Sequence, residues 1–580
     1  MCGVAGLIKQ KLEKKDALEF QKIRKYLMHR GPDDSGYFIN NNLSLVHTRL
    51  SIIDLENGKQ PIDNGDYVLI ANGEIYNDID IRKQNKQYKF ITKSDCESIL
   101  AVYAKRGIKG FEDLRGMYSF ALYDKKKEQL ILSRDHFGIK PLYFCNTQKG
   151  FIFSSEIQAI LNITNQSFKI RNDKLMEFFQ MQYCSGHSTI FNGINRLRPG
   201  ETLIIHKEKI IKSFLNINKL LGNNSKKKHV SSLLDETISK SVKLHLRSDV
   251  PSCIFFSGGV DSMLLLYYVN KVSDSKIKSF FVKVEDEKND FDKDYLSTLS
   301  NRFNSDFEEI EFSEKDFWNL IPKAAKIVDD PVADYAILPT LKLAKKVSED
   351  KFKVVLTGEG GDEIFAGYGR YKKSHKKFFN PALSIPNIYN FDSKNWNLAL
   401  KQINDNINNS KLSQVQKYQW FDFQNWLPNN LLVKLDRCLM AYGLEGRTPL
   451  VDKEVFKSLF FVDDNMKIQK NQGKFYVKKF LSERIINYDP FLKKRGFTIP
   501  LKKWIPKKLK TLEEFLPNIE ILKNLLSKNF IKDLCYSARF RKKALRPVWH
   551  LIFFASWYAI HIKKNKADGD FFDLIENLRP

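Results

Sequence analysis

A cysteine stands at position 2 of this 580-residue chain, in MCGVAGLI. Removal of the initiator methionine, which the small cysteine side chain permits, would leave Cys2 with both a thiol and a free α-amine. That amine, with a pKa of about 8, can take the thiol proton near neutral pH. Nucleophile and base would then share one residue. A thiolate attacking an amide needs donors for the oxyanion and groups to hold the substrate. ANGEIYN (71–77) offers two donors, the side-chain amide of Asn72 and the backbone N–H of Gly73. Arg49 in HTRLSIID can clamp a carboxylate bidentately, and Asp95 in KSDCES can take an α-ammonium. Together they describe a pocket for a free amino acid with an amide side chain.

The second half carries a different chemistry. In CIFFSGGVDSM an apolar strand runs into a Gly-rich turn. Its backbone N–H groups, with the N-terminus of the following helix, make an anion site for phosphates. No Gly-Lys-Ser/Thr follows, so this is not a Walker loop; Asp261 instead suggests Mg²⁺ beside a leaving pyrophosphate. KVVLTGEGGDEIFAGYGRY places Glu359, Asp362 and Glu363 within five residues at a strand end. Three such carboxylates would repel one another unless a cation sits among them.

The elements that must position these groups change character along the chain. Up to about residue 208, short apolar runs alternate with turn signals: VAGLI, LSLVHTRLSII, YVLIANGEIYN, SFALYD, QLILSRD, LYFCN, GFIFSSE and TLIIH. Hairpin turns are expected at Asn64-Gly65 and at Gln148-Lys149-Gly150. Two helical patterns, DALEFQKIRKYLMHR and CESILAVYAKRG, interrupt the runs, which predicts an α+β half with antiparallel sheet. The polar run LGNNSKKKHV marks a boundary. Beyond it SLLDETISKSVKLHL, DSMLLLYYVNKV and a segment near PTLKLAKKVSED read as helices. They alternate with the strands SCIFF, SFFVKV and KVVLTG, the grammar of a parallel sheet. From about 375 the apolar spacing is mostly helical. The domains read as 2–210, a linker at 211–230, and 231–580, a division that suits a chain too long for one core.

Composition narrows the function classes. Seven cysteines lie without CxxC pairs or the Cys/His spacing of a zinc site, which indicates a reducing compartment and no structural zinc. The start lacks a signal-peptide pattern, and the longest apolar stretch, VWHLIFFASWYAI, is broken by His550 and short of the roughly 20 residues of a spanning helix. A cytoplasmic protein with no membrane partner is expected. The formal charge of +27 invites a nucleic-acid reading. Its lysine runs (KKKE, NNSKKKHV, YKKSHKKFF, KKNK) are dispersed, however, so the expectation is a solvated basic surface and no nucleic-acid partner. His29, His47, His136 and His245 are expected in packing or surface roles, and Phe421, Phe423 and Trp426 in a helical core.

MCGVAGLI, HRGPDDSG, HTRLSIIDL, ANGEIYN, SDCE, RDHFGIKPLYF and FSSEIQAI, in this order, resemble the glutaminase domain of N-terminal-nucleophile glutamine amidotransferases. SGGVDS and LTGEGGDEIFAGY resemble the ATP-pyrophosphatase domain of asparagine synthetases, and LDRCLMAYGLEGRTPLVD, GKFYVKKFL and KKRGFTIPLKKW continue the match. The whole is similar to the glutamine-hydrolysing (B-type) asparagine synthetases. The resemblance implies an antiparallel β sandwich between helices, followed by an α/β parallel-sheet domain with a helical C-terminal part. It implies Cys2 as nucleophile, Asn72 and Gly73 as oxyanion hole, and Arg49, Leu50, Ser51, Ile52, Ile53, Asn72, Gly73, Glu74 and Asp95 as glutamine-binding residues. ATP would be bound by Phe255, Ser257, Gly258, Gly259, Asp261, Ser262, Val282, Thr357 and Gly358. Asp261 and Asp362 would hold Mg²⁺, and Glu359 and Lys474 would act at the acyl-adenylate step. The implied reaction makes asparagine from aspartate, glutamine and ATP through β-aspartyl-AMP, with ammonia crossing an internal tunnel in an enzyme that is often a homodimer. The sequence departs from the family pattern at SGGVDSM for SGGLDSS, Thr357 for Ser, TPLVD for PFLD and DDPVAD for DEPFAD. The last falls where the acceptor is expected, so another carboxylate, a sugar acid or peptide-like metabolite, stays open beside aspartate.

Overall fold

A computed structural model describes residues 2–222, 230–286, 293–373, 389, 396–408, 410–492, 499–576 and 578. KKRGFT at 493–498 and the core of the polar run at 223–229 lie outside the described residues.

Twelve strands build the first half: β1 (Gly3–Ile8), β2 (Asp34–Ile39), β3 (Leu43–Arg49), β4 (Ile62–Asp63), β5 (Tyr67–Ile75), β6 (Gly116–Asp124), β7 (Gln129–Arg134), β8 (Tyr143–Thr147), β9 (Gly150–Ser154), β10 (Asn195–Arg196), β11 (Glu201–His206) and β12 (Lys209–Leu215). They form two antiparallel sheets, ordered β10-β8-β9-β1-β3-β2 and β12-β11-β7-β6-β5-β4. The period-2 pattern explains the stacking: Val4 and Ile8 of β1 meet Val68 and Ile70 of β5 in the core between the sheets. Leu69 and Ala71 of β5 point the other way, onto a helix at Glu97–Arg106. Both faces are therefore buried, which is why these strands read as continuous apolar runs. Both expected hairpin turns are present, with Gly65 at φ +96 and Gly150 at φ +122, conformations that favour glycine.

Two expectations need correction. DALEFQKIRKYLMHR is an α-helix only over its first part, within Lys14–Gln21, and continues as a 3-10 turn at Lys22–Tyr26. The linker expected at 211–230 begins inside β12, which pairs with β11, so the sheet runs to Leu215. All seven residues of that edge strand are exposed, so it lacks the apolar-in, polar-out alternation that would have revealed it.

The second half opens with helix α1 (Val230–His245). Its five strands, β13 (Ser252–Phe255), β14 (Ile277–Val284), β15 (Ser305–Phe312), β16 (Val354–Leu356) and β17 (Glu445–Arg447), form one parallel sheet ordered β15-β14-β13-β16-β17. The chain order reverses about β13. The loops after β13 and β16 therefore lie side by side at the carboxyl ends of the strands, where such sheets bind ligands. Helix α2 (Val260–Val272) follows β13, α3 (Leu432–Met440) precedes β17, and α4 (Phe475–Ser482) follows it. The apolar C-terminal stretch forms α5 (Lys542–His561), buried against the helix at Glu314–Ile327. Trp549 and Trp557 donate their indole N–H groups to the Ala333 and Val328 carbonyls. Among the described residues no helix is long and apolar enough to cross a membrane.

The two halves share one hydrophobic cluster that passes from the outer face of the first sheet into the second half without a break. Buried ion pairs cross the seam. Arg30 meets Asp436 with two N–H···O contacts of 2.9 and 3.1 Å and Glu156 at 2.9 Å. Arg437 meets Glu156 at 2.5 Å and Asp329 at 2.8 Å. Arg115 grips Asp452 bidentately at 2.8 and 2.9 Å, and Arg247 grips Asp78. Removing one partner of such a pair strands the other charge in the interior. We expect Asp436→Ala to cost about 3 kcal/mol or more, seen as a clear fall in the denaturant midpoint; an unchanged midpoint would contradict the burial of this network.

Candidate active sites

Cys2 sits immediately before β1, buried, where the two antiparallel sheets approach each other. Its backbone N–H donates to Asn72 Oδ1 on β5 at 3.1 Å, and its carbonyl accepts from Arg30 Nε at 3.2 Å. The first bond fixes which way the Asn72 amide faces. Its Nδ2 is then buried with no partner among the described residues, a donor held ready for an anion. Gly73 follows on the same strand. A Cβ there would collide with the Met117 carbonyl on β6, so only glycine fits. Tyr118, opposite Gly73, exchanges its N–H and C=O with Asp135 on its far side. By the alternation of an antiparallel ladder, the Gly73 N–H is directed away from β6. The Ala71 and Ile75 N–H groups that share this direction are taken by Gln60 Oε1 and Asp95 Oδ2, at 2.7 and 2.6 Å.

Burial pushes the Cys2 thiol up, opposed by a backbone hydrogen bond from Leu50 and the charge of Arg49. The Arg49 guanidinium is turned onto the carbonyls of Ile53, Asp54 and Leu55, at 3.2, 2.6 and 3.2 Å, so it frames the loop that carries Ser51, Ile52 and Ile53. Leu50 and Ile52 are buried, and the Ser51 N–H donates to Asp33. Asp95 also accepts from the Cys96 thiol at 3.6 Å. Glu74 faces Arg447 Nη2 of β17 at 3.4 Å, and Arg447 Nε donates to Glu445 at 2.5 Å. Burial lifts the Glu74 carboxyl, with Asp95 adding to it. For Glu445, burial is outweighed by Arg447, and the carboxyl falls to about 2. Glu445 and Arg447 come from the other half of the chain and were missed by sequence reasoning, although LEGR lies inside a quoted motif.

The second site lies on the loops after β13 and β16. Gly258 has φ +70, which lets the backbone turn into α2. Ser262 Oγ accepts the Ser257 N–H and donates to the Gly259 carbonyl, both at 3.1 Å, closing the loop on itself. Phe255 ends β13 and Val282 lies on the adjacent β14. Gly358 and Gly361 pack directly on Asp261, where a side chain at either position would clash. Thr357 Oγ1, at the end of β16, is buried without a partner among the described residues.

Lys474, at the N-terminus of α4, places its Nζ at 2.5 Å from Asp261 and 2.7 Å from Asp362. Burial alone would lower its pKa, but the two carboxylates raise it. The three loop carboxylates, expected around one cation, instead diverge: Asp362 to Lys474, Glu359 to Lys434 at 3.9 Å, and Glu363 to the Tyr368 hydroxyl at 2.9 Å. Burial lifts the Glu363 carboxyl to about 8, with Asp362 and Asp422 adding to the rise. Among the described residues no group of three or more His, Cys, Asp or Glu is arranged to hold a metal. A cavity of about 610 Å³ opens here, lined by Val260, Asp261, Asp362, Lys372, Lys474 and Lys478. Lys372 and Lys478 were not singled out in the sequence; Lys478 lies one helical turn beyond Lys474 in GKFYVKKFL, a spacing that signals a shared face.

The histidines and aromatics fill the remaining expectations. His47 and His245 are buried and His136 is half-buried, and their pKa values are lowered to about 3, 4 and 3 respectively, chiefly by desolvation. His29 pairs with Glu156 at 3.0 Å. Phe421 and Phe423 are core residues, and the half-buried Trp426 stacks edge-on against Tyr183.

The family model described as "Glutamine amidotransferase domain" matches residues 1–215, and the one described as "Asparagine synthase" matches residues 233–559. The chain is similar to "Asparagine synthetase [glutamine-hydrolyzing] 1" of Bacillus subtilis (strain 168), 28% identical over 97% of each chain. It is 32% identical to "Putative asparagine synthetase [glutamine-hydrolyzing] 2" of Methanocaldococcus jannaschii, covering 65% of this chain and 78% of that one. "Asparagine synthetase B [glutamine-hydrolyzing]" of Escherichia coli (strain K12) is 28% identical over 81% of this chain and 75% of its own.

If the aimed Nδ2 of Asn72 is an oxyanion donor, Asn72→Ala should lower kcat for glutamine hydrolysis by about 10²–10³-fold. A loss confined to KM would rule out that role.

Proposed function

The chain belongs to the asparagine synthase family and is a ligase that draws its nitrogen from glutamine, and from that premise we propose how its two sites divide the work. Loss of Met1 frees the Cys2 α-amine to take the thiol proton, and the thiolate attacks the glutamine amide. Asn72 Nδ2 and the Gly73 N–H receive the oxyanion. The 49–53 loop, Glu74 and Asp95 hold the amino-acid end of glutamine; the Cys2 α-ammonium returns its proton to the departing nitrogen as the C–N bond breaks, and water then hydrolyses the Cys2 thioester to release glutamate.

At the second site the aspartate β-carboxylate attacks the α-phosphorus of ATP, which gives β-aspartyl-AMP and pyrophosphate. The SGGVDS loop and the N-terminus of α2 receive phosphate charge, with Phe255, Val282, Thr357 and Gly358 around the nucleotide. Lys474, with Lys372 and Lys478 on the same cavity wall, offsets the gathering anions. Asp261 and Asp362 converge on one cationic point, so their donor set fits a divalent ion beside Lys474. Mg²⁺ held there would screen the charge between carboxylate and phosphate. Ammonia then attacks the acyl-adenylate carbonyl, AMP leaves, and Glu359 takes the proton shed by nitrogen.

The observation that supports this pairing most directly is Arg30, whose guanidinium touches both the Cys2 carbonyl and Asp436 of the synthetase half. Nitrogen release and nitrogen use are thereby built against one seam. Incubation with aspartate, ATP-Mg²⁺ and amide-labelled glutamine should yield labelled asparagine, glutamate, AMP and pyrophosphate. Pyrophosphate release that ignores aspartate but responds to another carboxylic acid would replace aspartate as the acceptor.

A further inference from the structure

Helix α3 carries a lysine that the reaction so far leaves without work. The Lys434 side chain is only 6% exposed, and its ammonium lies 3.0 Å from Asp334 Oδ2 and 3.9 Å from Glu359 Oε1. We propose that Lys434 is a positioning residue for the amidation step: seated on Asp334, it holds the Glu359 carboxylate in place and in its proton-accepting form. The inference rests on the reading of Glu359 given above.

The charged groups that face Glu359 are Lys434 on α3, Asp334 on the loop before the helix at Ile337–Glu349, Asp362 on its own loop, and Asp261 on α2. Burial is the main influence that raises the Glu359 carboxyl, Lys434 is the main one that opposes it, and the other three facing groups are acids that add to the rise. The nearby Lys474 is engaged by Asp261 and Asp362. Lys434 therefore opposes a field that would otherwise leave the proton on Glu359, and a protonated carboxyl cannot accept one from the ammonia adduct. Lys434 itself is faced by Asp334, Glu359 and Cys438, and the two carboxylates keep it charged despite burial.

Its perch is independent of these contacts. Two and three residues further along α3, Asp436 is fixed by Arg30 and Arg437 by Glu156 and Asp329. The loop that bears Asp334 is held separately, through Asp329 on Arg437 and Asp330 on Arg196. Lys434 can thus be changed with the helix and the loop still anchored.

The test follows ammonia-dependent asparagine synthesis across pH for the wild-type enzyme, Lys434→Met, Lys434→Arg and the double variant Asp334→Asn/Lys434→Met. A carboxylate base works when ionised, so the rate falls as pH drops through its pKa, and loss of the cation moves that acid limb to higher pH. Lys434→Met should lose about tenfold or more near neutral pH and recover most of the wild-type rate at alkaline pH. Lys434→Arg, which keeps the charge, should retain the wild-type limb. The double variant leaves no carboxylate stranded, and its limb should also move upward, though less; it serves if the single variant fails to fold. A uniform fall at every pH, or Lys434→Arg as impaired as Lys434→Met, would overturn the proposal. A wild-type enzyme that forms no asparagine from aspartate, ATP and ammonia would instead defeat the reading of function, and the proposal with it.

Discussion

Arg30 is the point on which the rest of the molecule turns. It is fully buried, and all three of its guanidinium nitrogens are used: Nε on the Cys2 carbonyl, Nη1 on Glu156 and Asp436, Nη2 on Asp436. A lysine could not do this, because only a planar fork reaches a backbone carbonyl and two carboxylates from one rigid group. Buried ion pairs are poor investments in stability, since desolvation consumes much of the attraction. What the arrangement provides is position. A purely apolar seam could slide by a fraction of an ångström at little cost, whereas a bidentate pair cannot, and here the group that would slide carries Cys2.

The same logic extends along the seam. Helix α3 presents Lys434 toward Glu359 and, within one turn, Asp436 and Arg437 toward Arg30 and Glu156. One rigid element thus touches the surroundings of both centres. Arg115 on Asp452 and Lys353 on Asp33 add further pins between the halves, and the hydrophobic cluster between them is unbroken. The seam is closed by apolar packing and fixed by paired charges.

Much of this was readable from residue types, and the unread part has a common cause. Cys2, Asn72, Gly73 and Asp261 could be singled out because their sequence signals are local: a thiol next to the initiator methionine, an amide beside a glycine, an acid in a Gly-rich turn. The strands of the first half were legible because both faces are buried, and β12 was not because neither face is. The helix expected at 16–30 stopped short because amphipathic spacing does not say where α geometry gives way to 3-10. Arg30, Asp436, Glu445 and Lys434 carried no signal of their role. Arg30, Asp436 and Lys434 each meet a partner distant in sequence, 406 residues away for Arg30 and Asp436, and only folding brings them together.

Both centres hold a buried polar atom without a partner among the described residues. Asn72 gives its oxygen to the Cys2 N–H and keeps Nδ2 buried without a partner; Thr357 keeps its hydroxyl likewise at the nucleotide loop. A buried polar atom without a partner costs about 1–3 kcal/mol, and this cost is present before substrate arrives. On the function proposed above, an oxyanion or a nucleotide would supply the missing partner, and the donor would not need to reorganise at the moment of reaction. Lys474 adds a backbone version of the same idea. It holds φ +57, a left-handed conformation uncommon for non-glycine residues, and its ammonium lies between Asp261 and Asp362. On that reading stability is given up at atoms that would meet substrate, and at the first site the buried Arg30 fixes the Cys2 backbone beside Asn72.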